Sequence, residues 1–262
     1  MGNIIAIANQ KGGVGKTTTC VNLAAALAMN RRRVLLVDMD PQGNATVGSG
    51  VSKDGVGLTG YEVLIGEANI REAMVGADGG GFQVVPANSD LTAAEIALMD
   101  MEGREQRLRR QLARVRGDFD YILIDCPPSL NILTVNALVA AHGVLIPIQC
   151  EYYALEGLTA LLNTISRVQQ QANRELQIKG LLRTMFDPRN NLANQVGAQL
   201  MQHFPRQVFS TLIPRNVRLA EAPSHGQTAL QYDRYSRGSL AYMALASELI
   251  RRDMQAAATT TA

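Results

Sequence analysis

The sequence predicts an α/β fold, a doubly wound and mostly parallel sheet flanked by helices, and three observations lead there. Short continuous apolar runs, typical of strands buried on both faces, alternate with segments of helical apolar spacing along most of the 262 residues. A repeated strand-then-helix order calls for parallel strands joined by crossover helices. Between the first apolar run and the first helical segment stands Gln10-Lys11-Gly12-Gly13-Val14-Gly15-Lys16-Thr17-Thr18. Strand, glycine loop and helix together form the setting in which such a stretch binds phosphate.

In chain order, Ile4–Ala8 reads as the first strand, and Val21, Leu23, Ala24, Leu27 and Ala28 mark the first helix. Consecutive N–H groups of the glycine loop can curl around phosphate oxygens, and the helix N-terminus adds its positive end. Lys16 would then reach the β- and γ-phosphates and the Thr17 hydroxyl would ligate Mg²⁺. Arg31-Arg32-Arg33 is a solvated helix end before the buried strand 34–37, which runs into Asp38-Met39-Asp40-Pro41-Gln42-Gly43-Asn44. Ligands gather at the carboxyl ends of parallel strands, so these acids should face the phosphates; their plainer use would be to cap a turn before proline. Residues 48–60 read as a loop, followed by amphipathic pieces at 61–64 and 70–75, a glycine-rich excursion, a strand at 82–85, a helix near 91–98 and a charged helix over 104–116. Asp120–Ser129 is a strand ending in Asp125 and a rigid Cys-Pro-Pro turn, which suits a carboxylate that holds Mg²⁺ through water. A helix (133–141), a strand (144–148), a helix from about 154 to 170, and strands at 178–185 and 208–213 follow, then a helix over 238–254. One domain, 1–254, is expected, with 255–262 a disordered tail.

Composition narrows the class. No apolar run approaches the ~18 residues of a membrane span, and the short apolar start runs straight into the glycine loop, unlike a signal peptide. Cys20, Cys126 and Cys150 lack metal-ligand spacing, which points to reduced thiols and a cytoplasmic setting. Net charge is only +2, but residues 179–237 hold eight basic against three acidic side chains, +5 against −3 for the remainder. That asymmetry fits either a polyanion footprint or ordinary solvated side chains.

One departure in the loop is informative. The general phosphate-loop pattern wants glycine where Gln10 stands, and Lys11 is an additional lysine. Lys-Gly-Gly-Val-Gly-Lys-Thr-Thr resembles the deviant Walker A motif of the ParA/MinD family of ATPases. Asp-Met-Asp-Pro-Gln-Gly-Asn at 38–44 and the segment Gln149–Gly157 are similar to the ParA/Soj branch, and the likeness runs from residue 1 to about 252. The resemblance implies an ATP- and Mg²⁺-dependent ATPase of weak intrinsic activity. Its active form would be an ATP-sandwich homodimer in which Lys11 reaches the nucleotide of the facing subunit. It implies Asp40 as the residue orienting water, either the attacking one or those that hold Mg²⁺, and Glu151 as a cross-subunit contact or else an ordinary helix-start acid. Pro214 and Asn216 would hold adenine, and Arg189 and Arg218 would grip DNA phosphates. Non-specific double-stranded DNA, a ParB-type centromere-binding protein and a nucleoid-associated place in the cytoplasm follow from the same likeness. The loop's early position leaves no room for the helix-turn-helix of larger plasmid partition ATPases. Among competitors, a MinD-type membrane-surface ATPase needs a basic amphipathic C-terminal helix, and Arg251-Arg252-Asp253-Met254 followed by alanines and threonines is a poor one.

Overall fold

The computed structural model describes residues 2–260. Seven strands form one sheet: β1 (Asn3–Ile7), β2 (Val34–Asp38), β3 (Val75–Gly76), β4 (Gln83–Val85), β5 (Tyr121–Asp125), β6 (Gly143–Gln149) and β7 (Gln177–Thr184), in the order β3-β4-β2-β5-β1-β6-β7. All neighbours are parallel except the two-residue edge strand β3, which runs against β4. The fold class read from the sequence is the one observed. The central strands are buried along their whole length, as their unbroken Ile, Leu and Val runs require.

Among the described residues twelve helices accompany the sheet: α1 (Lys16–Met29), α2 (Asn44–Gly48), α3 (Gly60–Ile65), α4 (Ile70–Ala73), α5 (Leu91–Ala97), α6 (Arg107–Ala113), α7 (Ile132–Ala140), α8 (Ala154–Gln171), α9 (Asn191–His203), α10 (Val217–Glu221), α11 (Ala229–Tyr232) and α12 (Arg237–Thr260), besides short 3₁₀ turns. Two apolar layers result. One face of the sheet packs on α5 to α9 through residues such as Leu91, Leu112, Leu133, Leu161 and Leu200. The other packs on α1, α11 and α12 through Leu23, Leu27, Leu230, Tyr242, Leu245 and Leu249.

One expectation fails. Residues 208–213 do not form a regular eighth strand: Val208 and Pro214 make isolated bridges to the β7 side, at Leu181 and Phe186. Phe209 and Ile213 N–H donate to the Leu181 and Arg183 carbonyls, but between them the backbone N–H groups of Ser210 and Thr211 donate to the buried Glu248 carboxylate on α12 (2.9 and 2.8 Å). A side chain interrupts the ladder. Further along the chain α12 continues through Thr260. Alanine is the best helix former, so Ala256–Ala258 extend the helix at little cost. The part of the tail expectation that falls on 261–262 lies outside the described residues.

Candidate functional site

The carboxyl ends of β1, β2, β5 and β7 converge on a cavity of about 600 Å³, a size suited to a nucleotide. Gly12, Gly13, Gly15, Lys16, Thr17 and Thr18 form its floor, and Asp40 and Asn44 one side. Thr184, Met185 and the run Ile213–Val217 form the far wall. The floor is shaped by backbone: Gly13 (φ +73°) and Gly15 (φ +88°) occupy the left-handed region, which a Cβ would strain. Long-range contacts pin it. The Thr184 hydroxyl donates to the Val14 carbonyl (2.8 Å), the Asn9 amide donates to the Pro147 carbonyl (2.7 Å), and Lys11 N–H donates to Asn9 Oδ1 (3.0 Å). The Val14 side chain is buried beneath the loop, so only its backbone is available to a ligand.

Lys16 is 7% exposed, and its ammonium donates to the Lys11 carbonyl at 3.1 Å. Burial lowers its pKa, partly offset by the charges of Asp125, Cys126 and Asp40. A buried cation in a phosphate-sized cavity, bonded only to a carbonyl, is free to exchange that bond for a phosphate oxygen.

Three acids sit behind and beside the loop. Asp38 and Asp125 are register partners on adjacent strands, and both are completely buried. Burial raises Asp38 to about 6, although its carboxylate accepts bonds from Thr46 N–H (2.8 Å), the Thr46 hydroxyl (2.7 Å) and Asp40 N–H (3.1 Å). It is therefore a strut for the 40–46 loop. Asp125 is different: neither oxygen makes a well-formed hydrogen bond, the Thr17 hydroxyl being the nearest group that could supply one. Burial first, then the charge of Asp38, push its pKa well above the carboxylate range, with Thr17 and Lys16 nearby opposing. An orphaned buried carboxylate next to Thr17 fits a cation. Among the described residues no cluster of three or more His, Cys, Asp or Glu could hold a metal, which suits Mg²⁺, since it binds through one or two carboxylates, waters and substrate phosphates. Asp40 lines the cavity half-buried, with Oδ1 accepting from Gln42 N–H at 3.0 Å.

On the far wall Pro214 is buried and Asn216 Oδ1 is buried without a partner. A side-chain amide with an unused acceptor is what the amino edge of a purine requires. Lys11 does not line the cavity; its ammonium lies 2.6 Å from Glu151 Oε2, both side chains being partly exposed. Arg189 and Arg218 lie outside the cavity on the surface, each in an ion pair. Of the eight basic residues counted in 179–237, Arg183 is interior, its guanidinium 5.5 Å from the Phe186 ring centre.

Thr184, Met185 and Tyr242 also build the site and were not singled out from sequence. Thr184 stands at a strand's carboxyl end, a positional signal that could have found it. Met185 adopts φ +48°, and the Tyr242 hydroxyl meets Thr19 Oγ1 at 3.1 Å across 223 residues. Neither has a local sequence signal.

A family model described as an AAA domain matches residues 2–178. The chain is 53% identical over 253 residues to the chromosome partitioning protein ParA of Myxococcus xanthus, covering 97% of this chain and 89% of that protein. It is 53% identical over 249 residues to the sporulation initiation inhibitor protein Soj of Bacillus subtilis, covering 95% and 98%. Among solved structures, a cobyrinic acid a,c-diamide synthase from Mycobacterium smegmatis with bound ADP and magnesium superposes with a TM-score of 0.84 at 41% identity, over 96% of this chain and 95% of that one. The Pyrococcus furiosus cell division ATPase MinD superposes with a TM-score of 0.78 at 28% identity, over 96% and 99%. Among the described residues no helix is long and apolar enough to cross a membrane. By its phosphate loop, its strand-end acids and relatives matched along nearly its whole length, the chain belongs to the ParA/Soj family of chromosome-partitioning P-loop ATPases.

Proposed function

We propose that this chain is a DNA-segregation ATPase that works as an ATP-dependent homodimer on non-specific duplex DNA. The observation that carries the reading is the division of labour between two lysines of one loop. Lys16 is buried in the cavity, whereas Lys11 is directed out of it and held by a single exchangeable carboxylate. A lysine so placed serves a phosphate outside its own subunit.

In this reading the loop N–H groups of residues 12–18 and Lys16 bind the phosphates of ATP, and Pro214 and Asn216 hold the base. Thr17 and the orphaned Asp125 hold Mg²⁺, Asp125 through water; the ion supplies positive charge against the phosphates. Asp40, at the cavity wall, orients the attacking water, and Asp38 fixes the backbone that carries it. Lys11 leaves Glu151 to reach the nucleotide of a second copy, so dimerisation follows ATP. Glu151 is left at the same interface. Hydrolysis is slow until a ParB-type partner completes the site, a step worth roughly 10³–10⁵-fold in other NTPases. The seat of action is the nucleoid, within the cytoplasm.

The test is binding to random-sequence duplex DNA with ATP, ADP or no nucleotide at two salt concentrations, with Lys11→Ala beside wild type. The expected result is salt-sensitive binding with ATP only, lost in Lys11→Ala together with ATP-dependent dimerisation. Binding that ignores nucleotide, or a Lys11→Ala protein that dimerises normally, refutes the reading.

A further inference from the structure

The two arginines expected to meet DNA are already occupied. Arg189 sits bidentate on Asp187, with Nη2–Oδ2 at 2.8 Å and Nε–Oδ1 at 3.0 Å. Asp187 Oδ1 also accepts the Arg189 backbone N–H at 3.0 Å. These bonds, with the charge of nearby Arg215 adding to them, hold the Asp187 carboxyl at about 2. Arg218 is shared between Glu221 (Nη1–Oε2, 2.8 Å) and Asp233 (Nε–Oδ2, 3.4 Å), with its guanidinium 5.9 Å from the Tyr232 ring centre. Two cations thus face three carboxylates.

Two other arginines of the same tract are exposed, and neither guanidinium group is ion-paired or hydrogen-bonded among the described residues: Arg234 and Arg237. Arg215 is exposed as well but lines the nucleotide-sized cavity and acts on Asp187. Backbone contacts link the segments that carry these residues. Phe186, just before Asp187, bridges to Pro214, just before Arg215. Asp233, which holds Arg218, accepts the backbone N–H of Tyr235 at 3.2 Å, so Arg234 and the 82% exposed Tyr235 ring continue the exposed surface toward Arg237.

We propose that duplex DNA is met by this surface, with Arg234 and Arg237 taking phosphates uncontested while Asp187, Glu221 and Asp233 compete with phosphate for Arg189 and Arg218. The inference rests on the DNA-binding reading above and names the side chains that perform it. A carboxylate presents a guanidinium with the same forked pair of acceptors as a phosphate. An exposed ion pair weakens a competing contact by up to about fivefold. The competition therefore tempers each subunit's grip without blocking it, and two subunits on one polymer overcome it through effective concentration. Salt dependence separates the two kinds of arginine. An unpaired arginine that neutralises a phosphate adds about 0.9 to the slope of log K against log salt. An arginine that leaves a carboxylate for a phosphate adds less, because the freed carboxylate takes up a cation.

The experiment is fluorescence anisotropy of a labelled random-sequence duplex titrated with the full chain, ATP and Mg²⁺ over a series of salt concentrations. Asp187→Asn keeps an oxygen for the Arg189 N–H while losing the charge, and Glu221→Gln does the same for Arg218. Both should bind two- to fivefold more tightly than wild type. The double variant Arg234→Ala/Arg237→Ala should bind more weakly, with the salt slope reduced by about 2 for each subunit engaged. All four substituted positions are exposed or half-exposed, and matching melting temperatures confirm that folding is unaffected. Unchanged affinity in the two carboxylate variants, or an unchanged slope in the arginine pair, overturns the proposal. Absence of ATP-dependent binding by wild type at every salt refutes instead the DNA reading on which it rests.

Discussion

Replacing Asp125 by Asn should make the nucleotide-free protein more stable while abolishing ATP hydrolysis. Both oxygens of Asp125 are buried without a well-formed hydrogen bond, and burial raises its pKa well above the carboxylate range. In the unfolded chain the group titrates near 4. A folded pKa above the unfolded one means a penalty absent below that pH, growing as pH rises toward the folded pKa and constant beyond it. Thermal melts without nucleotide should therefore place Asp125→Asn above wild type at pH 7.5, with a smaller gap at pH 5, where the penalty has grown less. Adding Mg·ATP should raise the wild-type Tm by mass action and raise the variant's much less. A variant that melts below wild type at both pH values refutes the orphan-carboxylate argument.

Other expectations are more local. Asn216→Ala removes the amide proposed to hold the base and should weaken ATP binding by about tenfold, a loss of ~1.4 kcal/mol, while also blunting discrimination against GTP; equal loss for both nucleotides would place the base elsewhere. Glu248→Ala strands the backbone N–H groups of Ser210 and Thr211, costing about 2–4 kcal/mol, and denaturant melts should show it as a lowered midpoint. Because the 208–213 segment leads into Pro214, nucleotide affinity should fall with it. Gly180→Ala would bring a methyl to 2.3 Å from the Phe209 ring, an overpacking worth about 1–3 kcal/mol, read in the same melts.

The sequence made the phosphate side of the site legible and the base side much less so. Lys11 to Thr18, Asp40 and Asp125 each sit at a strand end within a few residues of the motif that announces them, so local pattern and chemistry coincide. The far wall depends on distance. Residues 208–213 reach the edge of β7 but pair with it only in part, because Glu248 on α12 captures two of the N–H groups. The Thr184–Val14 bond spans 170 residues and the Thr19–Tyr242 bond 223, and nothing local encodes either. Charge counting misled in one detail, since Arg183 is an interior residue and contributes nothing to a surface footprint.

The cavity draws its floor from residues 12–18 and its last wall residue from Tyr242. During synthesis the phosphate-binding loop therefore emerges from the ribosome well before the wall that would hold the base. At ~5–20 residues per second the interval between them is on the order of tens of seconds. Throughout that time the nascent chain carries a phosphate loop with no closed pocket behind it. A chain interrupted before α12 would have the signature motifs and lack the compartment, so nucleotide occupancy distinguishes a finished molecule from an unfinished one.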